Sequence, residues 1–223
     1  MQNRSTHSDA YFAAALTFDP QEHTTLTLIT GLQKHEINNI CVRLRHSQDY
    51  IALPMLLPAL LLEGRVDSTT RRVVESHQEI YDVEQVTGLL TTWDLPSGSG
   101  RESSSPKLWG TQDFQDFNRV TWQLTSVSAK LAYCTYNCQV HLPMLDELDQ
   151  INQELVNGSS PGRQPDLQRV HACLQANNAF LRARLQATSV RATYLSQRAQ
   201  AQVQTVSRTQ LHRTDPILTS SRG

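Results

Sequence analysis

Residues 165–209, PDLQRVHACLQANNAFLRARLQATSVRATYLSQRAQAQVQTVSRT, decide how this chain folds. The stretch holds no Gly and a single Pro, at its first position. Ala, Leu, Gln and Arg dominate it, and all four favour helix. Leu167, Val170, Leu174, Leu181, Leu185, Thr188, Ala192, Leu195, Ala199 and Val206 recur at steps of three, four or seven. That spacing predicts one long helix with a narrow apolar stripe along one side. Such a helix cannot bury its stripe alone, so a partner helix must lie along it.

The partner precedes it. Thr111 is placed to cap a second long helix, with Asp113 in its first turn. Phe114, Phe117, Val120, Leu124, Val127, Leu131, Cys134, Cys138, Leu145, Leu148, Ile151 and Leu155 carry the stripe expected of it. Pro143 falls within this run and should kink or split the helix. Between the two arms lies NGSSPGRQP at 157–165, short enough to make them antiparallel neighbours. Residue i should then face about 322 − i. That register brings Asp113 and Asp116 near Arg208, and Glu154 near Arg169. Each such exposed pair contributes only ~0–1 kcal/mol, so the buried stripes must supply most of the stability.

Upstream, residues 11–93 predict a smaller α+β unit. Leu16 and Phe18, then Leu26 and Leu28, alternate with polar or small residues around Asp19-Pro20. This is the pattern of a β-hairpin, over roughly 12–18 and 24–30, with one face covered by helices. Gly31 ends it. Ile37, Ile40, Cys41 and Leu44 give one face to a short helix over 33–48, leaving Lys34, Glu36, Arg43 and Arg45 to water. Pro54 and Pro58 open a further helix reaching about residue 87. On it Leu60, Glu63, Asp67, Thr70, Val74, His77, Tyr81 and Glu84 form one rail, and Val66, Val73, Ile80 and Val83 another. The Ser-, Gly- and Pro-rich segment 94–110 is expected to be a flexible linker between this unit and the hairpin of 111–209. Disordered tails are expected at 1–10 and 210–223. The fold class predicted is therefore mainly α, a long antiparallel, coiled-coil-like helical hairpin beside a small N-terminal α+β unit.

Composition narrows the function classes. The 223 residues carry a net charge of −1, which gives no bulk attraction to nucleic acid or anionic lipid. Arginines of the last helix could meet phosphates, but the acids expected on the neighbouring arm compensate them. The longest apolar run, Ile51–Leu62, has 12 residues and two prolines, against the ~20 needed to cross a bilayer. Cys41, Cys134, Cys138 and Cys173 follow a polar N-terminus and read as free thiols in a reducing compartment, hence a cytoplasmic chain with no membrane span of its own.

Motifs for chemistry are few. Cys134, Cys138 and His141 stand at i, i+4 and i+7 on one helix face and could hold zinc, given a fourth ligand. His171 and Cys173 map more than two turns away, and both cysteines sit in the stripe, where a free Cys packs as a small apolar residue. Packing is the better reading, so no metal and no cofactor are expected. His35-Glu36 begins the zinc-protease pattern HExxH, but Asn39 stands where the second ligand would be. No phosphate-cradling loop or nucleophile elbow occurs. No residue is assigned to catalysis.

Three places resemble a known family. Leu53-Pro54-Met55-Leu56-Leu57-Pro58 is similar to the Pro-Leu-Leu-Leu-Pro helix entry of the divergent fungal branch of CorA-type magnesium transporters. LITGLQKHEINNICVRLR at 28–45 leads into it as in that branch. RARLQATSVRATYLSQRAQAQVQTV at 182–206 resembles the family's long final cytosolic helix, which there runs into the first membrane span and lines the pore. The likeness covers most of residues 11–206. The family's Gly-Met-Asn signature and its two membrane spans have no counterpart here. The resemblance therefore implies a cytosolic domain without a pore, acting through association with itself or with a helical partner. The alternatives are an orphan coiled-coil interaction protein unrelated to transport, and a thiol or zinc protein using Cys134, Cys138 and His141.

Overall fold

The computed structural model describes residues 12–19, 24–51, 53–87, 114–158 and 164–219. The predicted linker, the caps at Thr111 and Asp113 and the centre of the reversal lie outside them. The elements are strands β1 (Ala13–Asp19) and β2 (Thr24–Thr30), then helices α1 (Lys34–His46), α2 (Leu56–Thr87), α3 (Phe114–Asn157) and α4 (Gln164–Thr219). A single 3-10 turn, Gln48–Tyr50, separates α1 from α2. The chain is mainly helical, as the periodicity predicted, and α3 and α4 pack as an antiparallel hairpin.

Packing divides the chain into two compact units, and the division runs through α2, α3 and α4. One unit contains the residues up to Val66 together with His141–Ala183; the other contains Asp67–Val140 with the chain from Arg184 onward. The sequence reading put its boundary in the segment 94–110 instead. The reason for the difference is α2, whose stripe joins the same core as α3 and α4 and is not reserved for an N-terminal domain.

In the first unit β1 and β2 pair antiparallel, Leu16 with Thr27 and Phe18 with Thr25. Gly31 follows β2 at φ 86°, a left-handed conformation that costs a glycine little. This register puts Leu16, Phe18 and Ile29 on the half-buried face and leaves Leu26 and Leu28 exposed at 74% and 67%. Leu26 and Leu28 thus lie on the opposite face from Leu16 and Phe18, since side chains alternate along a strand.

Helix α1 also turns differently from its predicted face. It has no buried residue, and Ile37 and Cys41 are exposed. Its half-buried charges face the start of α2, with Arg43 pairing Glu63 at 2.9 Å and Glu36 lying 3.6 Å from Arg65. Glu36 also accepts a 2.8 Å hydrogen bond from the Gln33 N–H, closing the helix start. Leu53, Leu56, Ala59, Leu60, Leu61 and Leu62 are buried at the entry to α2, where Pro58 costs no hydrogen bond in the first turn.

The second unit is a three-helix seam. Val73, Ile80 and Val83 of α2 meet Phe117, Val120, Leu124, Val127, Leu131 and Cys134 of α3 and Ala192, Leu195, Ala199 and Val206 of α4. With buried Ser76 and Gln202 filling the two gaps of seven, steps of three and four alternate through these positions, so each helix turns one narrow stripe inward. Of the two rails read on α2, the valine-isoleucine rail is the core. Val74 of the other rail is 48% exposed.

On α3, Asn152 and Val156 are buried, whereas Ile151 is 40% exposed and Leu155 only half-buried. The stripe assigned to Ile151 and Leu155 is thus one residue out of register. Strict three-four alternation beyond Leu148 leads to Asn152, and an asparagine was not expected in the seam. Pro143 does not split α3. It has no N–H for the Gln139 carbonyl, but both residues are exposed, so water can take that acceptor. Helix α4 continues to Thr219, past residue 209 where the sequence reading ended the hairpin.

Candidate interaction surface

The three helices of the second unit are fixed around the seam by polar contacts, and these say which way each outer side faces. Taking the seam as heptad positions a and d, Arg184, Arg191 and Arg198 of α4 fall at g. All three turn toward α2. Arg184 meets Asp67 at 2.5 Å, Arg191 meets the His77 ring at 3.0 Å, and Arg198 grips Glu84 through two hydrogen bonds. Thr70 and Thr188 add a hydroxyl contact of 3.2 Å on the same side. Lys130, the g residue of α3, reaches both oxygens of Glu79 on α2 at 2.9 Å. The sequence reading paired the arginines of α4 with acids of α3. Among the described residues Arg182, in the first unit, does so, reaching Asp146 at 2.8 Å and Asp149 at 2.5 Å, whereas Asp113 lies outside them. Burial works against that charge, but the hydrogen bonds and negative charge of Asp149 and Asp146 outweigh it and raise the guanidinium pKa above its usual value.

With the charges turned toward α2, the opposite side is left without any. Ser128 of α3 and Ser196 of α4 meet at 3.0 Å, which places the e positions of the two helices together. Outward from that contact, across positions b, e and f of 121–140 and 186–203, no Asp, Glu, Lys, Arg or His occurs. Trp122 and Tyr136, two heptads apart at f, are 73% and 60% exposed, and Val190 at f of α4 is 71% exposed. Ala129 and Ala132 lie between the aromatics and are exposed too. Three threonine hydroxyls of this face are already occupied. Thr125 donates to the Thr121 carbonyl at 2.8 Å, Thr135 to Leu131 at 3.1 Å and Thr193 to Ser189 at 3.0 Å. Sequence reading passed over this face because it followed the seam. The signal was present nonetheless: Lys130 is the single charge between Val120 and Leu145.

The zinc candidates fall elsewhere. Cys134 and Cys138 are fully buried in the seam of the second unit. Burial, reinforced by neighbouring Cys134, pushes the Cys138 thiol up to about 11, so it holds its proton at neutral pH and is a poor ligand. His141 belongs to the first unit, where burial and then the charge of Arg65 lower its pKa. Among the described residues no three His, Cys, Asp or Glu side chains converge on a common point. His171 is buried in the seam of the first unit and meets Gln153 at 3.0 Å. No described helix is long and apolar enough to cross a membrane.

One open cavity of about 260 Å³ lies in the first unit, lined among others by Tyr50, Leu53, Leu56, Leu60, Glu63 and Cys173. Glu63 is engaged there by Arg43. Comparison with protein-family models, with curated proteins and with solved structures finds no match for this chain.

Proposed function

We propose that this chain is a non-catalytic helical association domain, which works by laying the charge-free α3/α4 side of its second unit against another protein. The observation that carries the reading is the exposure of Trp122, Tyr136 and Val190 along one face that carries no Asp, Glu, Lys, Arg or His. Monomer surfaces intersperse charge; protein interfaces are depleted of charge at their centres and enriched in Trp and Tyr. In the same proposal, the resemblance of 28–45, 53–58 and 182–206 to CorA-type transporters reflects descent. The chain would then be the cytosolic scaffold of such a protein, cytoplasmic and without a pore of its own. Descent predicts that magnesium changes its state of association. Indifference to magnesium favours the orphan coiled-coil reading.

Photo-crosslinking of the full chain in the cells that make it tests the association. A photoreactive residue at Gln139, on the proposed face, should give a protein adduct that Trp122→Arg abolishes. The same residue at Glu75, on the outer side of α2, should give none. Equal or absent labelling at the two positions would remove the proposal.

A further inference from the structure

We infer that the occupant of the α3/α4 face is a second copy of this chain, mated face to face; this rests on the association role proposed above. The argument begins with charge. A partner carrying ionised groups would lose their hydration against this face and find no counter-charge, at a cost of several kcal/mol per ion. The partner must therefore present an uncharged face with exposed apolar side chains. This chain supplies one such surface, and two copies would bring no ionised groups into the contact. Lys130, Arg184, Arg191 and Arg198 all point to α2 and are held there by Glu79, Asp67, His77 and Glu84.

The polar groups agree. Thr125, Thr135 and Thr193 spend their hydroxyl protons on carbonyls of their own helices, and Ser128 and Ser196 bond each other. Covering the three threonines strands no donor, and of the serine pair a single hydroxyl proton is left to find an acceptor, which lowers the usual penalty for burying a Thr- and Ser-rich surface. Gln139, Gln186 and Gln197 remain exposed at the margins, where they can bridge to the partner's glutamines or to water.

Size sets the strength. Residues 121–140 run about 28 Å at 1.5 Å per residue. Two helix axes about 8–10 Å apart then present a patch on the order of 500 Å². A stable interface removes about 800 Å² per partner, so the pair should be reversible, with Kd in the micromolar range. Tyr136 and Val190 lie at the same level of the hairpin under the register set by Ser128 and Ser196. A two-fold axis passing near the level of Val127, midway between Trp122 and Ala132, would let Trp122 of each copy reach the alanine-lined stretch of the other.

Sedimentation of the purified full chain tests this. Between about 1 and 200 µM, the weight-average mass should rise from that of a monomer toward twice that value. Trp122→Arg combined with Val190→Arg should keep the chain monomeric throughout. Its helicity and melting temperature should be unchanged, because both positions are exposed. With Trp93 and Trp109 replaced by Phe, emission from Trp122 should shift to the blue over the same concentration range. A wild type that stays monomeric to about 200 µM would overturn the inference, and so would a double variant that still dimerises. A monomeric wild type that is nevertheless crosslinked through Gln139 to a different protein would overturn it while leaving the association role standing.

Discussion

Glu84 of α2 and Arg198 of α4 form a two-point ion pair inside the second unit, with Nε to Oε1 at 2.6 Å and Nη2 to Oε2 at 2.5 Å. Glu84 is 1% exposed, and the Gln202 amide donates to the same carboxylate. The partners are 114 residues apart, and the Arg184–Asp67 pair is separated by 117. A nearly constant separation means that α2 and α4 run parallel at one register.

Removing one member of this pair should cost far more than removing the group of three. Arg198→Met leaves a buried carboxylate with one donor and should destabilise by about 3–5 kcal/mol. Glu84→Leu with Arg198→Met and Gln202→Leu should fall much closer to wild type, because no polar atom is then stranded. Urea unfolding of the variants decides it; a single-variant loss below about 1 kcal/mol would show that the pair is hydrated.

Asn152 is the opposite case. Its side chain is fully buried at a seam position, and neither its Nδ2 nor its Oδ1 has a hydrogen-bond partner. Asn152→Leu should stabilise the protein by about 1–3 kcal/mol, the cost of an unpaired buried amide. The gain should be measurable in the urea midpoint. Leu131→Ala, at 0% exposure, should cost about 2–5 kcal/mol. Ile151→Ala, at 40% exposure, should cost much less.

The four thiols should separate cleanly. Cys41 and Cys173 are exposed, while Cys134 and Cys138 are buried. An aromatic disulfide reagent at pH 8 should titrate the first two within minutes, and the others only after denaturant is added. The raised Cys138 pKa, about 11, adds a second barrier by withholding the thiolate. Rapid reaction of all four in the native protein would contradict the packing of the seam.

Acid should weaken the fold through His141. Its pKa in the folded chain lies below 6.5, from burial first and then from Arg65, and its buried Nδ1 has no hydrogen-bond partner. The unfolded chain therefore takes up a proton first as pH falls through 6.5. Stability contributed by neutral His141 is present above that value and disappears as pH drops through the lower folded pKa. Wild type should lose more stability than His141→Gln between pH 7 and pH 5, measured by urea midpoints. Parallel curves for the two proteins would sink the assignment.

The long helices and the antiparallel return of α3 on α4 are legible in residue spacing alone. Leu124, Leu131, Leu181, Leu185 and Leu195 announce their burial by spacing alone, because an apolar stripe at steps of three and four has one way to leave water. The entry of α2 and the strands of the hairpin are legible too, where turn residues and prolines act locally. Whatever depends on a third neighbour is settled only when the helices pack. Nothing local says that α2 joins the seam of α3 and α4, that Arg184 and Arg198 choose Asp67 and Glu84 over acids on α3, or that Asn152 replaces Ile151 inside. Spacing tells a helix which side to hide, but the identity of what hides it is settled by pairings about 114–118 residues apart, and with them the side left bare of charge.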